Sequence, residues 1–262
     1  MVSSIMYTDR FELKYLIQTK NLGAILDSFG RVLMSDRNNY NNEGYFNHSI
    51  YFDTLKLRFY REKQEGLIER LKPRLRIYRD VHDFNIKSLF LEFKHKSNRT
   101  IYKQRCEINQ KEADNLLLGQ GPVPTDGHPI TNQTIALFYS LSKRYLLRPK
   151  VAVNYKRFAY VSSLYPKLRV TFDQFLEASL DVSMDAKRSA FVDIISPRYT
   201  LVEIKYNKQL PQILSSIIQA HELKNVTFSK YSSAMEVAYE KTRPRQRYRH
   251  DLFTSAIKGR KG

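Results

Sequence analysis

The sequence predicts an α+β fold: an antiparallel β-barrel of about eight strands that encloses a strongly basic tunnel and is covered by helices. Three observations predict this class. Segments in which charged and apolar residues alternate recur along the chain, most of the alternating charges are basic, and segments with helical periodicity lie between them. With 262 residues, 42% of them hydrophobic, the chain is long enough to bury a substantial core.

Seven segments carry the alternating pattern of a strand. In residues 201–207, Glu203 and Lys205 share one face while Val202, Ile204 and Tyr206 take the other, because successive side chains of a strand point to opposite faces. The seven segments are residues 8–17, 72–79, 89–96, 101–108, 151–161, 167–172 and 200–207. We predict a further strand at residues 47–52 and a weaker pair of strands within residues 175–195.

Apolar residues at helical spacing predict the covering helices. These are expected at residues 20–33, 55–63, 111–118 and 131–147, from Pro211 to about residue 222, and after Ser229. Thr19 is positioned to cap the first helix and Ser229 the last. We expect residues 1–241 to form the folded domain and residues 242–262, which are basic and lack apolar periodicity, to form a mobile tail.

The charge and composition narrow the possible partners. A formal net charge of +18 predicts attraction to a polyanion such as nucleic acid, an anionic membrane surface or polyphosphate. The single cysteine, Cys106, excludes an internal disulfide and a cysteine-ligated metal cluster, and we expect it in the core. Without an apolar run of about 20 residues or a signal peptide, the sequence predicts a cytoplasmic protein with no transmembrane segment. No RNA-binding signature or helix-turn-helix is visible, so specific nucleic-acid binding is not expected.

The charges that share one face of the seven strands are eleven basic and four acidic side chains. The basic ones are Arg10, Lys14, Arg74, Arg76, Lys94, Lys96, Lys103, Arg105, Arg157, Arg169 and Lys205, and the acidic ones are Glu12, Glu92, Glu107 and Glu203. Because like charges facing each other across strands destabilise a sheet, this bias indicates an anionic ligand on that face.

The other face of the same strands is too apolar to meet water. Its residues include Phe11, Leu13, Leu75, Ile77, Leu91, Phe93, Val170, Phe172, Val202 and Ile204, which we expect the helices to cover. The pattern by itself leaves two architectures open: a barrel with its charges inside, which is our prediction, and an open sheet with one solvated basic face.

Eight short motifs, in order, resemble those of a known family. They are Arg-Phe-Glu-Leu-Lys-Tyr at 10–15, Ser-Ile-Tyr-Phe-Asp-Thr at 49–54, Arg-Leu-Arg at 74–76, Leu-Glu-Phe-Lys at 91–94, Tyr-Lys-Arg at 155–157, Leu-Arg-Val-Thr-Phe-Asp at 168–173, Leu-Val-Glu-Ile-Lys-Tyr at 201–206 and Phe-Ser-Lys-Tyr at 228–231. Over about residues 5–240 the sequence resembles the polyphosphate polymerase domain of the vacuolar transporter chaperone (VTC) family, which belongs to the triphosphate tunnel metalloenzymes and is related to the CYTH proteins.

The resemblance implies an ATP-dependent enzyme that transfers the γ-phosphate of ATP onto a growing polyphosphate chain with the help of Mn²⁺ or Mg²⁺. The residues expected to act on the transferring phosphates are Arg74, Arg76, Lys94, Arg157, Arg169 and Lys205. Further substrate or phosphate contacts are expected from Arg10, Lys14, Tyr155, Ser229 and Lys230, and from Lys103 or Arg105. Glu203 is the expected metal ligand, and Glu12 is the other carboxylate best placed to join it.

Several alternatives stay open at this point. Glu12, Glu92 and Glu107 could instead pair with basic neighbours across strands, and His48 is expected to be a core or rim residue rather than a general base. The same tunnel could hydrolyse triphosphates, or the protein could be a non-enzymatic binder of polyphosphate or nucleic acid, because a fold does not fix a reaction.

Overall fold

The structure, a computed structural model, describes residues 6–8, 10–30, 32–39, 42–97, 100–120, 129–185 and 190–242. The expected basic tail begins where the last helix ends, at Thr242, and the rest of it lies outside the described residues.

The described residues form eleven strands, six α-helices and one 3-10 turn. The strands are β1 (Met6–Thr8), β2 (Arg10–Gln18), β3 (Met34–Ser35), β4 (Tyr45–Asp53), β5 (Arg70–Arg79), β6 (Ile86–Ser97), β7 (Thr100–Glu107), β8 (Arg148–Val161), β9 (Arg169–Ser179), β10 (Val192–Asp193) and β11 (Tyr199–Asn207). The helices are α1 (Leu22–Phe29), α2 (Arg58–Gln64), α3 (Gln110–Leu117), α4 (Pro129–Tyr145), α5 (Gln212–Ala220) and α6 (Lys230–Thr242), and the 3-10 turn is Thr19–Asn21.

All the strands belong to one antiparallel sheet, in the order β1-β7-β6-β5-β4-β8-β9-β11-β2, with β3 on β8 and β10 on β9. The first and last strands of this path, β1 and β2, are separated in sequence by one residue. The sheet therefore curls until both of its ends come from one stretch of chain. The result is a tunnel-like barrel, whose two end strands are not paired with each other in the described residues. Eight long strands form its wall, as predicted.

Helices cover the outer face of the sheet, as the apolar pattern predicts. Leu75, Leu91 and Phe93 are fully buried and pack with α3 and α4, whereas β2, β9 and β11 pack with α1 and α5. Phe11 was expected to be covered and is not: 52% of it is exposed, and its ring stacks on Tyr206 at 5.6 Å.

The interior is not charged along its whole length. Val153 and Leu201 lie on the same strand faces as Arg157 and Glu203, yet they pack with Tyr231, Ala234, Met235 and Ala238 of α6. Helix α6 therefore packs on the inner face of the sheet and fills one part of the barrel with apolar side chains. The expectation of charge inside and apolar residues outside is thus correct only for the part of the interior that α6 does not fill.

One local prediction was wrong. Thr19 does not cap α1; its hydroxyl donates to the carbonyl of Pro197 at 3.2 Å and contacts Thr200. The weak strand pair expected within residues 175–195 is present as the end of β9 and the two-residue strand β10, which pair with each other. Phe175 has a positive φ of 52° where the register with β8 shifts, so the alternation breaks there although the strand continues.

Cys106 is fully buried in the core, and burial raises the pKa of its thiol to about 12. None of the described helices combines the length and the apolar character that a membrane crossing requires.

Candidate functional site

A cavity of about 550 Å³ lies inside the barrel beside the start of α6. Eleven basic and two acidic side chains line it. The basic ones are Lys14, Lys63, Arg70, Lys72, Arg74, Arg76, Lys94, Lys96, Arg157, Lys205 and Lys230, and the acidic ones are Glu12 and Glu203. Tyr155 and Ser229 also line it, so eleven of the fifteen residues predicted from the sequence face this cavity.

The centre of the cavity is a network around two buried carboxylates, Glu203 and Asp173. Lys230 Nζ lies 2.7 Å from Glu203 Oε1 and 2.7 Å from Asp173 Oδ2. Arg157 donates two hydrogen bonds to Asp173, of 2.6 and 2.7 Å, and also lies 3.3 Å from Glu203 Oε2. Burial alone would raise the pKa of Glu203, but Lys230, Lys205, Lys14 and Arg157 outweigh it and hold that pKa well below its usual value.

A third carboxylate, Glu12, lies diagonally across the β2–β11 pair from Glu203, because Glu203 is opposite Lys14 and Glu12 is opposite Lys205. Lys14 Nζ contacts both carboxylates, at 3.2 Å from Glu12 Oε1 and 3.8 Å from Glu203 Oε1. Burial opposes ionisation of Glu12, yet Lys94, Lys205 and Lys14 lower its pKa. Both Glu12 and Glu203 are therefore ionised, and a cation that lies between them, as the Lys14 ammonium does, is stabilised by both.

Glu203 and Glu12 can supply only part of the coordination shell of a hard divalent ion. No group of three or more His, Cys, Asp or Glu side chains able to hold a metal occurs in the described part of the chain. Magnesium and manganese accept one or two protein carboxylates when phosphates and waters complete the coordination, and Glu203 with Glu12 supplies that number. The donor set thus fits a metal that is bound together with a phosphate ligand.

The start of α6 contributes Ser229 and Lys230 to the cavity, where they contact residues of the sheet. Ser229 directly precedes the helix, and its hydroxyl accepts the backbone N–H of Ser232 at 3.4 Å, which agrees with the predicted cap. Lys72 Nζ donates to the same hydroxyl at 2.9 Å. The ammonium of Lys230 also lies 5.0 Å from the centre of the Tyr155 ring.

Arg74 and Arg76, adjacent in phase on β5, have different partners. Arg74 donates to Glu92 Oε2 at 2.9 and 2.6 Å. Arg76 donates to the hydroxyl of Tyr155 at 2.6 Å and to that of Ser49 at 3.3 Å, and it has no carboxylate within ion-pair distance among the described residues. Only 6% of Arg76 is exposed, so it is a buried cation that no anionic side chain of the described residues pairs with.

Four predicted residues are not among those that line the cavity. Lys103 and Arg105 pair with the buried carboxylate of Glu92, Lys103 closely and Arg105 at 4.0 Å. Glu92 therefore pairs with basic residues of the neighbouring strands, which is the alternative that the sequence analysis left open. Arg169 contacts Asp36 at 3.2 Å and the hydroxyl of Tyr45 at 3.3 Å. Arg10 lies in β2, but its side chain lies outside the described part of the structure.

His48 lies away from the cavity. It is fully buried on the covered face of the sheet, where its ring nitrogens contact Asn154 Oδ1 at 2.8 Å and the carbonyl of Ser183 at 3.0 Å. Burial lowers its pKa, so the ring is a neutral core residue, as expected.

Comparison with protein families decides the relationship. The sequence model of the VTC domain matches residues 9–239. The chain belongs to the VTC domain family. No curated protein sequence matches the VTC domain described here.

Several solved structures are similar to this VTC domain at low sequence identity. A candidate adenylate cyclase from Bacillus halodurans is 10% identical, with a TM-score of 0.50 over 85% of this chain and 96% of that one. A protein from Pyrococcus horikoshii is 13% identical, with a TM-score of 0.47 over 87% and 99% of the two chains. A candidate adenylate cyclase from Vibrio parahaemolyticus is also 13% identical, with a TM-score of 0.41 over 86% and 96%. At these identities the first of them supports the fold and nothing further.

The VTC domain places five charged residues at or beside the cavity that the prediction of the site omitted. They are Lys63, Arg70, Lys72, Lys96 and Asp173. Four of them share the phase of predicted site residues, since Arg70 and Lys72 are in phase with Arg74, Lys96 with Lys94, and Asp173 with Arg169. Lys96 was already among the basic residues assigned to that face, without a predicted role in the site. Lys63 belongs to α2 and carries no such signal.

Proposed function

We propose that this VTC domain is a polyphosphate polymerase that transfers the γ-phosphate of ATP onto a growing inorganic polyphosphate chain inside the cavity. The observation that supports it most is the balance of charge: eleven basic side chains face two acidic ones in one enclosed space. A buried cation without a partner is unfavourable, so such a site is stable with a ligand that carries several negative charges. A triphosphate or a polyphosphate chain has that charge and a linear shape.

The basic residues would do most of the catalytic work by positioning phosphates. Phosphoryl transfer needs little covalent help from a protein; it needs alignment and neutralisation of the charge on the transferring group. Arg76 forms no ion pair with a carboxylate in the described residues. Its guanidinium can therefore donate two hydrogen bonds to phosphate oxygens without breaking an ion pair. Three further cations would also bind the phosphates while each stays close to its carboxylate partner: Arg74, Arg157 and Lys94.

Glu203 and Glu12 would hold Mn²⁺ or Mg²⁺ in this proposal. When bound, the metal neutralises negative charge on the phosphate oxygens and thereby assists the transfer. Lys14, which contacts both carboxylates, would move from them toward the phosphates.

The polar groups of the cavity favour a phosphate acceptor over water. No histidine lines it in the described part of the chain, and each lining carboxylate pairs with at least two cations. A general base that removes a proton from water is therefore not evident. The terminal phosphate of a polyphosphate chain carries ionised oxygens and needs no such base, which supports the polymerase over a triphosphatase.

Incubation of the protein with ATP, Mn²⁺ and a short polyphosphate primer tests this proposal, with the products separated on a gel. Polymerase activity yields chains longer than the primer, a triphosphatase yields free phosphate with no chain, and a passive polyanion binder yields neither. Arg76→Ala should slow chain formation about a hundredfold, the scale of losing one charge-stabilising group. Lys156→Ala is the matched control, because Lys156 is next to Arg157 on β8 but its ammonium contacts Phe46 and Phe158 on the other face. Chain formation unchanged in Arg76→Ala would contradict the assignment.

A further inference from the structure

We propose that four basic residues at one end of the cavity bind the part of a polyphosphate chain that extends beyond the central phosphates. These residues, Lys63, Arg70, Lys72 and Lys96, are called the basic rim. The rim would make the protein prefer long chains over tripolyphosphate. This inference rests on the proposed function for its biological meaning, but its test is a binding measurement.

The central cations and the rim cations differ in their partners. In the centre, Lys14 and Lys94 lie within 3.4 Å of Glu12, and Arg157, Lys205 and Lys230 lie within 3.6 Å of Glu203. None of the four rim residues has a carboxylate within 4.0 Å among the described residues. Lys72 donates to the Ser229 hydroxyl at 2.9 Å, which leaves its charge without an anionic partner there. Apart from Arg76, whose partners are hydroxyl groups, the cavity cations that the described residues leave without a carboxylate are therefore those of the rim.

The strand register makes this lack of compensation more pronounced. Arg70 lies directly opposite Lys96 across β5 and β6, and Lys72 lies opposite Lys94 in the next pair on that face. Like charges at opposed positions destabilise a sheet, so two successive pairs of this kind indicate a bound anion rather than a structural role. Burial, together with Lys94, Lys14, Lys63 and Arg70, lowers the pKa of Lys72 well below its usual value, which agrees with cations crowded together.

The rim also continues the centre in space. Lys72 contacts Ser229, the neighbour in sequence of Lys230, which joins the central carboxylates. From Lys72, one step of two residues along β5 leads to Arg70, a spacing of about 6.7 Å in an extended strand. A linear polyanion held by the central residues would thus pass Lys72 and reach Arg70, Lys96 and Lys63. The triphosphate of a nucleotide would be held at the centre without them.

Isothermal titration with tripolyphosphate and with a chain of several tens of phosphates tests the rim. The rim variant Lys63→Gln/Arg70→Gln/Lys96→Gln should bind tripolyphosphate within about threefold of wild type and lose on the order of 10- to 100-fold in affinity for the long chain. The matched control Lys20→Gln/Lys111→Gln/Lys143→Gln removes the same net charge from exposed positions elsewhere and should lose less than about threefold for both ligands.

Each outcome decides the matter. Equal losses for both ligands, or equal losses in the rim and control variants, would overturn the inference, because the effect would then reflect net charge alone. The single change Arg70→Gln supplies the same comparison if the triple variant does not fold. If the gel assay shows no chain synthesis while the rim variant selectively loses long-chain binding, the proposed function fails and the rim stands. If chains form but the long-chain affinity is unchanged, the rim fails alone.

Discussion

Lys230 Nζ lies 2.7 Å from Glu203 Oε1, where the first residue of α6 meets the middle of β11. The contact joins the helix that packs inside the barrel to the carboxylate proposed to bind the metal. The same ammonium also contacts Asp173, so it can release Glu203 to a metal and still keep an anionic partner.

We predict that Glu203→Gln removes metal-dependent turnover while leaving the fold intact. The amide keeps the size of the side chain but loses the charge that a divalent ion requires, so turnover should fall roughly a thousandfold or more. Tripolyphosphate binding should persist, because the basic residues remain and one competing carboxylate is gone. Turnover is measured against Mn²⁺ concentration and binding by titration; a near wild-type rate would remove Glu203 from the metal site.

Arg74→Ala and Arg76→Ala should differ in stability although both lower turnover. Arg74 compensates the buried carboxylate of Glu92, so its loss should destabilise the fold by about 3 kcal/mol. Arg76 has no carboxylate partner in the described residues, and its removal relieves repulsion among cations, so stability should be unchanged or higher. Urea unfolding without ligand measures both. A steep loss of stability in Arg76→Ala would show that it is a structural residue.

The lowered pKa of Lys205 leads us to predict that anion binding depends on pH. Burial is the main reason that its pKa is lowered to about 8, although Glu12 and Glu203 oppose this shift. Because the unfolded chain binds the proton more tightly, stability without ligand should rise between pH 8 and about 10.5. Phosphate binding needs the charged form, so affinity should fall as pH rises through 8.

Lys205→Arg is the matched variant, since arginine stays charged over this range. The ratio of wild-type to variant affinity for tripolyphosphate cancels the ionisation of the ligand. It should fall between pH 7 and pH 9; a constant ratio would exclude Lys205 from the binding site.

Tyr231→Phe tests whether a buried contact positions α6. The hydroxyl of Tyr231 donates to Asp53, whose carboxylate also accepts the backbone N–H groups of Phe59 at 3.0 Å and Tyr60 at 2.9 Å. Loss of a hydrogen bond to a charged group should cost about 1.5–3 kcal/mol. If the contact positions Lys230, turnover should fall more than the affinity for ATP, and Asp53→Asn should add little to the effect of Tyr231→Phe. Additive losses in the double variant would contradict this coupling.

Deleting residues 243–262 tests the domain boundary. The deleted segment carries seven basic residues and one acidic residue and lies beyond the family match, which ends at residue 239. General polyanion binding at low salt should weaken, because exposed charges attract at long range, whereas ATP turnover should be largely kept. Loss of turnover in a folded truncated protein would assign the tail to the site.

The strands and most of the site were predictable because alternation is a local property. Glu203 and Lys14 are paired across β11 and β2, which places the charged residues of both strands on the same face of the sheet. Because the sheet curls into a barrel, the basic side chains on that face point into one interior. The position of α6 was not predictable, since the apolar stripe Tyr231, Ala234, Met235 and Ala238 suits either face of a sheet equally. The bulge at Phe175 hid the true length of β9 for a related reason: one residue with positive φ resets the alternation.

The fate of the γ-phosphate tests the central claim most directly. ATP labelled at the γ-phosphate is incubated with the protein, Mn²⁺ and primer, and the label in long chains is compared with the ADP formed. We predict about one labelled phosphate in the chain for each ADP, with little free phosphate. Label recovered mainly as free phosphate while ADP accumulates would identify a triphosphatase and contradict polyphosphate synthesis in this cavity.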